Sequence, residues 1–446
     1  MEDGVEWIDA ATAAERLGVK PATLYAYVSR GVLQRRRSDD GRRSLFSAEE
    51  IERLARRGRP RSQPPELVIE SAVTALGVDR PYYRGVDALE LAGTTAFESV
   101  AEWLWTADPG VLPGPRRRRP AAPAEPQGDG QQPRHRASAG SPAMARQRDP
   151  GPAPDTGVVS WRCEPGALQA AVVAQRGLPD DLLPLDRLQV ITTVLGASDS
   201  LRYQLDPASV AATGRRLIAG LVDALPQLSE PQGESIAERL WSRLCPHPAS
   251  PALLDAVQAA LVLLADHELA ASTLAARVAA SAKADPYAVV LTGFGVLGGP
   301  LHGGASYGAE RLLAEIAEPG QAARAVAERV RRGERIPGFG HSIYKNGDGR
   351  GGLLLDLVKE AAPGHERIAA GMAVLAEMRR RRLPERNIDF ALAILAAVSG
   401  MVRGAGEAVF AVARVAGWLA HAMEEYERGT LLRLRASYTG PPVRGA

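Results

Sequence analysis

Cysteine is nearly missing from this 446-residue chain: only Cys163 and Cys245 occur, far apart and outside any paired motif. That excludes a disulfide framework and a cysteine zinc site, and it makes a reducing cytoplasm the expected location. No apolar run is long enough to cross a bilayer. The N-terminus is acidic and mixed rather than a basic stretch leading into an apolar one, so neither a membrane span nor an export leader is expected. Net charge is also small, +2, but it conceals an uneven distribution. The first sixty-odd residues and the run Arg116-Arg117-Arg118-Arg119 are rich in arginine, so a nucleic-acid role belongs at the front if anywhere. Alternating β-branched runs are few and no repeat period stands out.

What the chain does have is a hydrophobic content of 45% spread over enough length to bury a large core in more than one folding unit. At the front, Ala10 to Leu17 reads as a helix ended by Gly18. Lys20 to Arg30 reads as a second, with Pro21 in its first turn and Gly31 at its end. A basic hairpin or wing around Asp39-Asp40-Gly41 follows, and Ser47 opens a third helix. Residues 1–60 thus resemble the winged helix-turn-helix heads of MerR and excisionase-type proteins. The resemblance implies that Thr23, Tyr25, Tyr27 and Arg30 lie on the major-groove helix, with Arg42 and Arg43 among the wing residues on phosphates. A solvated basic cap is the alternative reading. Residues 109–156 have too few large apolar side chains to offset ordering entropy and are expected to be disordered. From about 160 onward, Ala- and Leu-rich helical patterns broken by Gly and Pro predict an all-α body.

Two common ligand classes find little support. Gly293-Phe294-Gly295-Val296-Leu297-Gly298 fits a dinucleotide-binding pattern after the β-like run 288–291. It then runs into Gly299-Pro300 instead of opening a helix within a strand-helix-strand unit. No metal is expected, because Asp266-His267-Glu268 lacks the spacing that sets two histidines on one helical face.

The remaining polar residues suit enolate chemistry. Taking a proton from carbon beside a thioester or ketone needs a base, together with donors waiting where the oxyanion develops. His302 and His341 stand beside glycine-rich turns, where a helix dipole can hold an imidazole neutral and fit to donate. Asp389 is the candidate base, although after Asn387 it equally fits the first turn of a helix over 390–398. His267 fits a helix cap as well as a ligand. Arg414 lies in the apolar run 409–420 and requires an anion: a bound one, or an internal acid such as Glu407 or Glu424.

Five ordered motifs resemble the citrate synthase family: Gly299-Pro300-Leu301-His302-Gly303-Gly304-Ala305, the stretch Gly338 to Arg350, Asn387-Ile388-Asp389-Phe390, Arg414 to His421, and Arg433 to Gly440. Tyr83-Arg84-Gly85 resembles its N-terminal segment. The resemblance implies an all-α, two-domain fold with the active-site cleft between a large and a small domain. It assigns 61–108, 157–303 and 400–446 to the large domain and 304–399 to the small one. It also implies condensation of acetyl-CoA with oxaloacetate to citrate without a cofactor, in a homodimer or larger oligomer. Asp389 would be the base, and His302 and His341 the donors. His267, Arg350 and Arg414 would be carboxylate ligands, with Arg433 supplied by the other subunit. The alternatives are a 2-methylcitrate synthase using propionyl-CoA and a DNA-binding metabolite sensor. The chain departs from the family pattern at Leu264, Ser306, Ser342, Gly349 and Leu434, places often taken by His, Asn, Arg, Pro and Pro.

Overall fold

The computed structural model describes residues 7–17, 19, 21–29, 33–38, 43–51, 68–112, 160–436 and 440. The chain divides into two compact units, Met1–Glu70 and Ser71–Ala446.

In the first unit, strand β1 (Trp7–Asp9) leads into helix α1 (Ala10–Leu17), followed by α2 (Pro21–Ser29), β2 (Arg35–Arg37) and β3 (Ser44–Ser47). Strand β3 is central, antiparallel to both neighbours, with Ile8 opposite Phe46 and Arg36 opposite Leu45. The basic wing expected from the sequence is the β2–β3 hairpin, while β1 was not anticipated. Residues 48–51 begin a further helix. Ala13, Leu24, Leu33, Phe46 and Ile51 form a small core of the unit's own. Arg30 and Arg42 lie outside the described residues.

The second unit opens with a three-stranded antiparallel sheet: β4 (Thr74–Leu76), β5 (Pro81–Tyr83) and β6 (Val86–Asp87). This small sheet precedes the helical body predicted from about 160 onward and leaves the all-α class intact. The strands are two or three residues long and leave no period to detect. The turn between β5 and β6 places both Arg84 (φ 45°) and Gly85 (φ 86°) in the left-handed region, as a tight hairpin turn demands. Helices α3 (Ala88–Thr94), α4 (Phe97–Thr106), α5 (Pro165–Ala174), α6 (Pro184–Ser198), α7 (Pro207–Ala224) and α8 (Ile236–Leu244) come next. They are followed by α9 (Pro251–Leu264), α10 (Ala271–Ser281), α11 (Pro286–Leu297), α12 (Gly304–Ala314) and α13 (Ala322–Arg331). The last four are α14 (Gly349–Ala361), α15 (Glu366–Arg380), α16 (Ile388–Ser399) and α17 (Ala405–Arg428). The β-like run 288–291 lies inside α11. The disorder expected for 109–156 falls outside the described residues, except for a 3-10 turn at Pro109–Val111.

Proline is put to a regular use. Pro165, Pro184, Pro207, Pro251 and Pro286 each occupy the first turn of a helix, where the missing N–H costs nothing, and Glu164, Asp206, Ser250 and Asp285 cap four of these helices with side-chain oxygens. Helix α17 is the axis of the unit, buried on every side from Ala405 to Met423. It packs against α10, α9, α11, α7 and α4. Such closeness depends on small residues: a Cβ on Gly293 of α11 would lie 2.6 Å from the Trp418 ring. No helix among the described residues is long and apolar enough to cross a membrane.

Candidate active site

Several chain segments end at one cleft of about 810 Å³. Helix α9 stops at Leu264, and Glu268 (φ 52°) turns the chain out of it, so His267 projects into the cleft. Tyr83 fixes this corner, its hydroxyl lying 2.9 Å from the Val262 carbonyl and 3.2 Å from that of Asp266. His302 sits in the turn between α11 and α12, which closes tightly enough that a Cβ on Gly304 would be 2.6 Å from the Gly298 carbonyl.

The other side is built around two helix N-termini. Asp348 caps α14 by accepting from the Arg350 amide (3.1 Å) and grips the Arg350 guanidinium through Nε (3.0 Å) and Nη2 (2.8 Å). It also accepts from the Ile388 amide at 3.1 Å, tying α14 to α16. Asn387 caps α16 by accepting from the Asp389 amide, and its own amide donates to the Gly340 carbonyl at 3.0 Å. The base candidate is therefore tethered to the residue preceding His341.

His267, His302, His341, Arg350, Asp389 and Arg414 all line the cleft. The His341 ring stacks on Tyr344 (centroids 4.6 Å) and meets His267 edge-on (5.2 Å). His267 Nε2 is 3.0 Å from the Tyr344 hydroxyl, so this imidazole does not cap α9, whose C-cap is Ala265. The amides of Ile343 and Tyr344 donate to His341 Nδ1 at 3.0 and 3.2 Å. With Nδ1 accepting, the neutral ring carries its proton on Nε2. Burial and the Arg350 charge push the His341 pKa down to about 4. Burial, then Arg414, do the same for His302, also to about 4. His267 is held well below its ordinary value by burial and by Arg350. Burial, with Arg350 or Arg414 close by, favours the neutral form of all three rings.

His302 Nε2 lies 2.7 Å from the Ser272 hydroxyl, to which Trp418 Nε1 donates at 3.3 Å. The helix begins at Ile388, two residues earlier than the 390–398 span read from sequence, with Asp389 in its first turn. Asp389 Oδ1 accepts from the Ser306 hydroxyl at 2.8 Å. Burial raises its pKa to about 6 despite that bond.

Arg414 is 1% exposed, its Nε donates to the Leu264 carbonyl at 2.7 Å, and its Cζ lies 4.7 Å above the Phe410 ring. Both terminal nitrogens are buried without a hydrogen-bond partner. Neither acid considered from sequence hydrogen-bonds Arg414. Glu424 pairs with Arg277 at 2.6 Å and accepts from the Ala72 amide. Glu407 is raised to about 7 by burial and by Glu310, Asp186 and Asp389. Asp266 is the acid that most favours the charged form of Arg414, whose pKa burial nevertheless lowers to about 10. Its Oδ2 faces His421 Nε2 at 3.3 Å, and His421 Nδ1 faces Arg277 at 2.6 Å.

Arg433 lies exposed beyond α17 and does not line this cleft. In the first unit Tyr25 is 41% exposed, whereas Tyr27 packs against the core. Sequence reasoning missed Ser272, Tyr344, Asp348 and Phe410. Tyr344 and Asp348 sit inside a quoted motif, but Ser272 carries no local signal. Among the described residues, no His, Cys, Asp and Glu group could hold a metal ion.

Residues 160–435 match the family model for the C-terminal domain of citrate synthase, and 7–59 match a helix-turn-helix domain model. The chain is 34% identical to citrate synthase 2 of Bacillus subtilis over 277 residues, 59% of this chain and 74% of that one. It is 30% identical to 2-methylcitrate synthase 2 of Corynebacterium glutamicum over 287 residues, covering 60% and 74%. Among solved structures, Thermotoga maritima citrate synthase superposes with a TM-score of 0.63 at 23% identity, covering 84% of this chain and 94% of that one. The Thermoplasma acidophilum enzyme, solved as a ternary complex with carboxymethyl coenzyme A and oxaloacetate, gives 0.64 at 21% identity, covering 85% and 96%. Such matches, over a fold and a set of motifs of this kind, show that the chain belongs to the citrate synthase family of acyltransferases.

Proposed function

We propose that the cleft condenses acetyl-CoA with oxaloacetate to citrate and CoA, using no cofactor, as in the tricarboxylic acid cycle. The observation that carries this reading is Arg414: a buried guanidinium with two unpartnered terminal nitrogens at the wall of a cleft, which needs a carboxylate to complete it. With Arg350 and the neutral His267 it receives oxaloacetate, and Arg433 of the partner subunit adds a further guanidinium. Forked donors of this kind match a dianion.

Asp389, ionised above about pH 6, takes a proton from the acyl methyl group. His302 donates to the thioester oxygen as the enol forms; with the Ser272 hydroxyl donating to Nε2, its own proton is on Nδ1. The enol carbon attacks the oxaloacetate ketone, and His341 donates from Nε2 to the developing alkoxide. Water then cleaves the thioester of citryl-CoA, releasing CoA. Movement of residues 304–399 against the rest closes the cleft and shields the enol from water. The acyl-CoA arm leaves past Leu301, 80% exposed, and Ile343, 43% exposed, with Lys345 and Arg335 at the same mouth to meet its phosphates. Exposed Leu274 and Val278, one turn apart on α10, suit a homodimer face, and the two free cysteines suit the cytoplasm.

Thiol release with oxaloacetate plus acetyl-CoA is the test. Activity should vanish in Asp389→Ala, and binding of both substrates by the parent without CoA release refutes the reading. Propionyl-CoA as the preferred acyl donor is the second reading, in keeping with the C. glutamicum relative. For the first unit we propose DNA contact through α2 and the β2–β3 wing, where Arg35, Arg36 and Arg37 are exposed. DNA retention unaffected by changing all three to Ala counts against it.

A further inference from the structure

We propose that Ser306, in the place where the family often has Asn, is a positioning residue that sets both the aim and the working pH of Asp389. The proposal rests on Asp389 being the base. Ser306 is the third residue of α12, fully buried, and does not line the cleft. It therefore acts only through Asp389, whose Oδ1 its hydroxyl engages at 2.8 Å. The Asp389 backbone is fixed separately by Asn387 Oδ1 at 3.0 Å. With Oδ1 occupied, Oδ2 is left with no hydrogen-bond partner among the described residues and is the oxygen free to take a proton.

The position of the hydroxyl is itself determined. Gly406 of α17 lies beside it: a Cβ there would make ordinary contact with Ser306 Cβ at 3.6 Å and a tight one with Glu310 Oε1 at 3.0 Å. Glu310, one turn along α12, accepts from the amides of Gly404 (2.8 Å) and Gly406 (2.9 Å), holding α17 against α12. A serine fits this gap and reaches the carboxylate with its one donor. The charged groups acting on Asp389 are Arg350 and Asp348 on the α14 side and Arg414 on α17, and Glu407 on α17 is influenced by Asp389 in turn. Burial by itself raises the carboxyl, and the Ser306 bond opposes that. Removing the hydroxyl leaves burial less opposed.

The experiment compares the full-length parent with Ser306→Ala and Ser306→Thr. The acid limb of the kcat profile should move up by about one pH unit in Ser306→Ala, with KM for oxaloacetate unchanged within about twofold, and the threonine hydroxyl should restore the limb. Difference infrared titration of the Asp389 carboxyl, assigned with Asp389→Asn, reads the same shift in unliganded protein without any turnover. If Ser306→Ala titrates like the parent, the hydroxyl merely fills space and the proposal falls. If Ser306→Ala does not fold, Ser306→Gly takes its place in the same titration. A parent that releases no CoA defeats the condensation reading, whereas the infrared shift still decides on Ser306.

Discussion

Replacing Arg414 by Met separates what this residue does for the fold from what it does for a ligand. In the unliganded protein, two buried terminal nitrogens go unpaired, each costing about 1–3 kcal/mol. Against that stand the Nε bond to Leu264 at 2.7 Å, about 1 kcal/mol, contact with the Phe410 ring at 4.7 Å, about 1–2 kcal/mol when desolvated, and attraction to Asp266. Methionine fills similar volume, so the stability of Arg414→Met should lie within about 2 kcal/mol of the parent. Oxaloacetate binding should suffer far more, since truncating one member of a buried charge pair costs about 2–5 kcal/mol, about 30-fold to a few thousand-fold in Kd. Thermal unfolding and titration calorimetry read both quantities. At 100 times the parent Kd, oxaloacetate stabilises the parent by about 2.7 kcal/mol and should stabilise the variant by about 0.9 kcal/mol or less. A variant that binds within threefold of the parent, or loses more than about 4 kcal/mol without ligand, refutes the argument.

Other outcomes follow from the same geometry. The Asp389 carboxyl is raised from 3.8 to about 6, so the folded state holds its proton more tightly than the unfolded chain, and stability falls as pH climbs from about 4 to about 6. Asp389→Asn should therefore be up to about 3 kcal/mol more stable than the parent at pH 7.5, a difference that closes by pH 4 in denaturant titrations. Tyr344→Phe removes the hydroxyl 3.0 Å from His267 Nε2 and should raise KM for oxaloacetate about fivefold with little change in kcat. Gly417→Ala would set a Cβ 2.2 Å from Asp266 Oδ1 and 2.5 Å from the Ala265 carbonyl. It should cost about 3 kcal/mol or more, read as a lowered unfolding midpoint.

Of the six functional candidates in the cleft, Arg414, His302, His341 and Asp389 were legible from their local contexts. The role of Arg350 came only from the family resemblance, and His267 read equally well as a helix cap. A lone arginine in an apolar run, histidines beside glycine clusters and an acid at a helix start are visible without coordinates. Their supports were not. Ser272 reaches His302 only because α10 packs against α11 and α17, and an ordinary serine in an Ala-rich helix gives no hint of it. Asp348 was only one residue within the stretch Gly338 to Arg350, and its grip on Arg350 depends on a helix beginning at the next residue. The short sheet escaped because its strands are set by the Arg84-Gly85 turn and by Tyr83 reaching the end of α9. Tyr25 and Tyr27 both lie on the helix expected to enter the major groove, but only the fold shows that Tyr27 packs against the small core of the unit.

The aromatic pair Trp105 and Trp161 stacks with centroids 5.7 Å apart, and Trp105 also donates to the Ala416 carbonyl at 2.9 Å. These residues stand just outside the two ends of the stretch 113–159, so the folded body itself holds those ends together. The site between Leu112 and Ser160 is thus a natural port for protein engineering, where a reporter domain or a pair of new chain termini could be installed at little cost to the catalytic body.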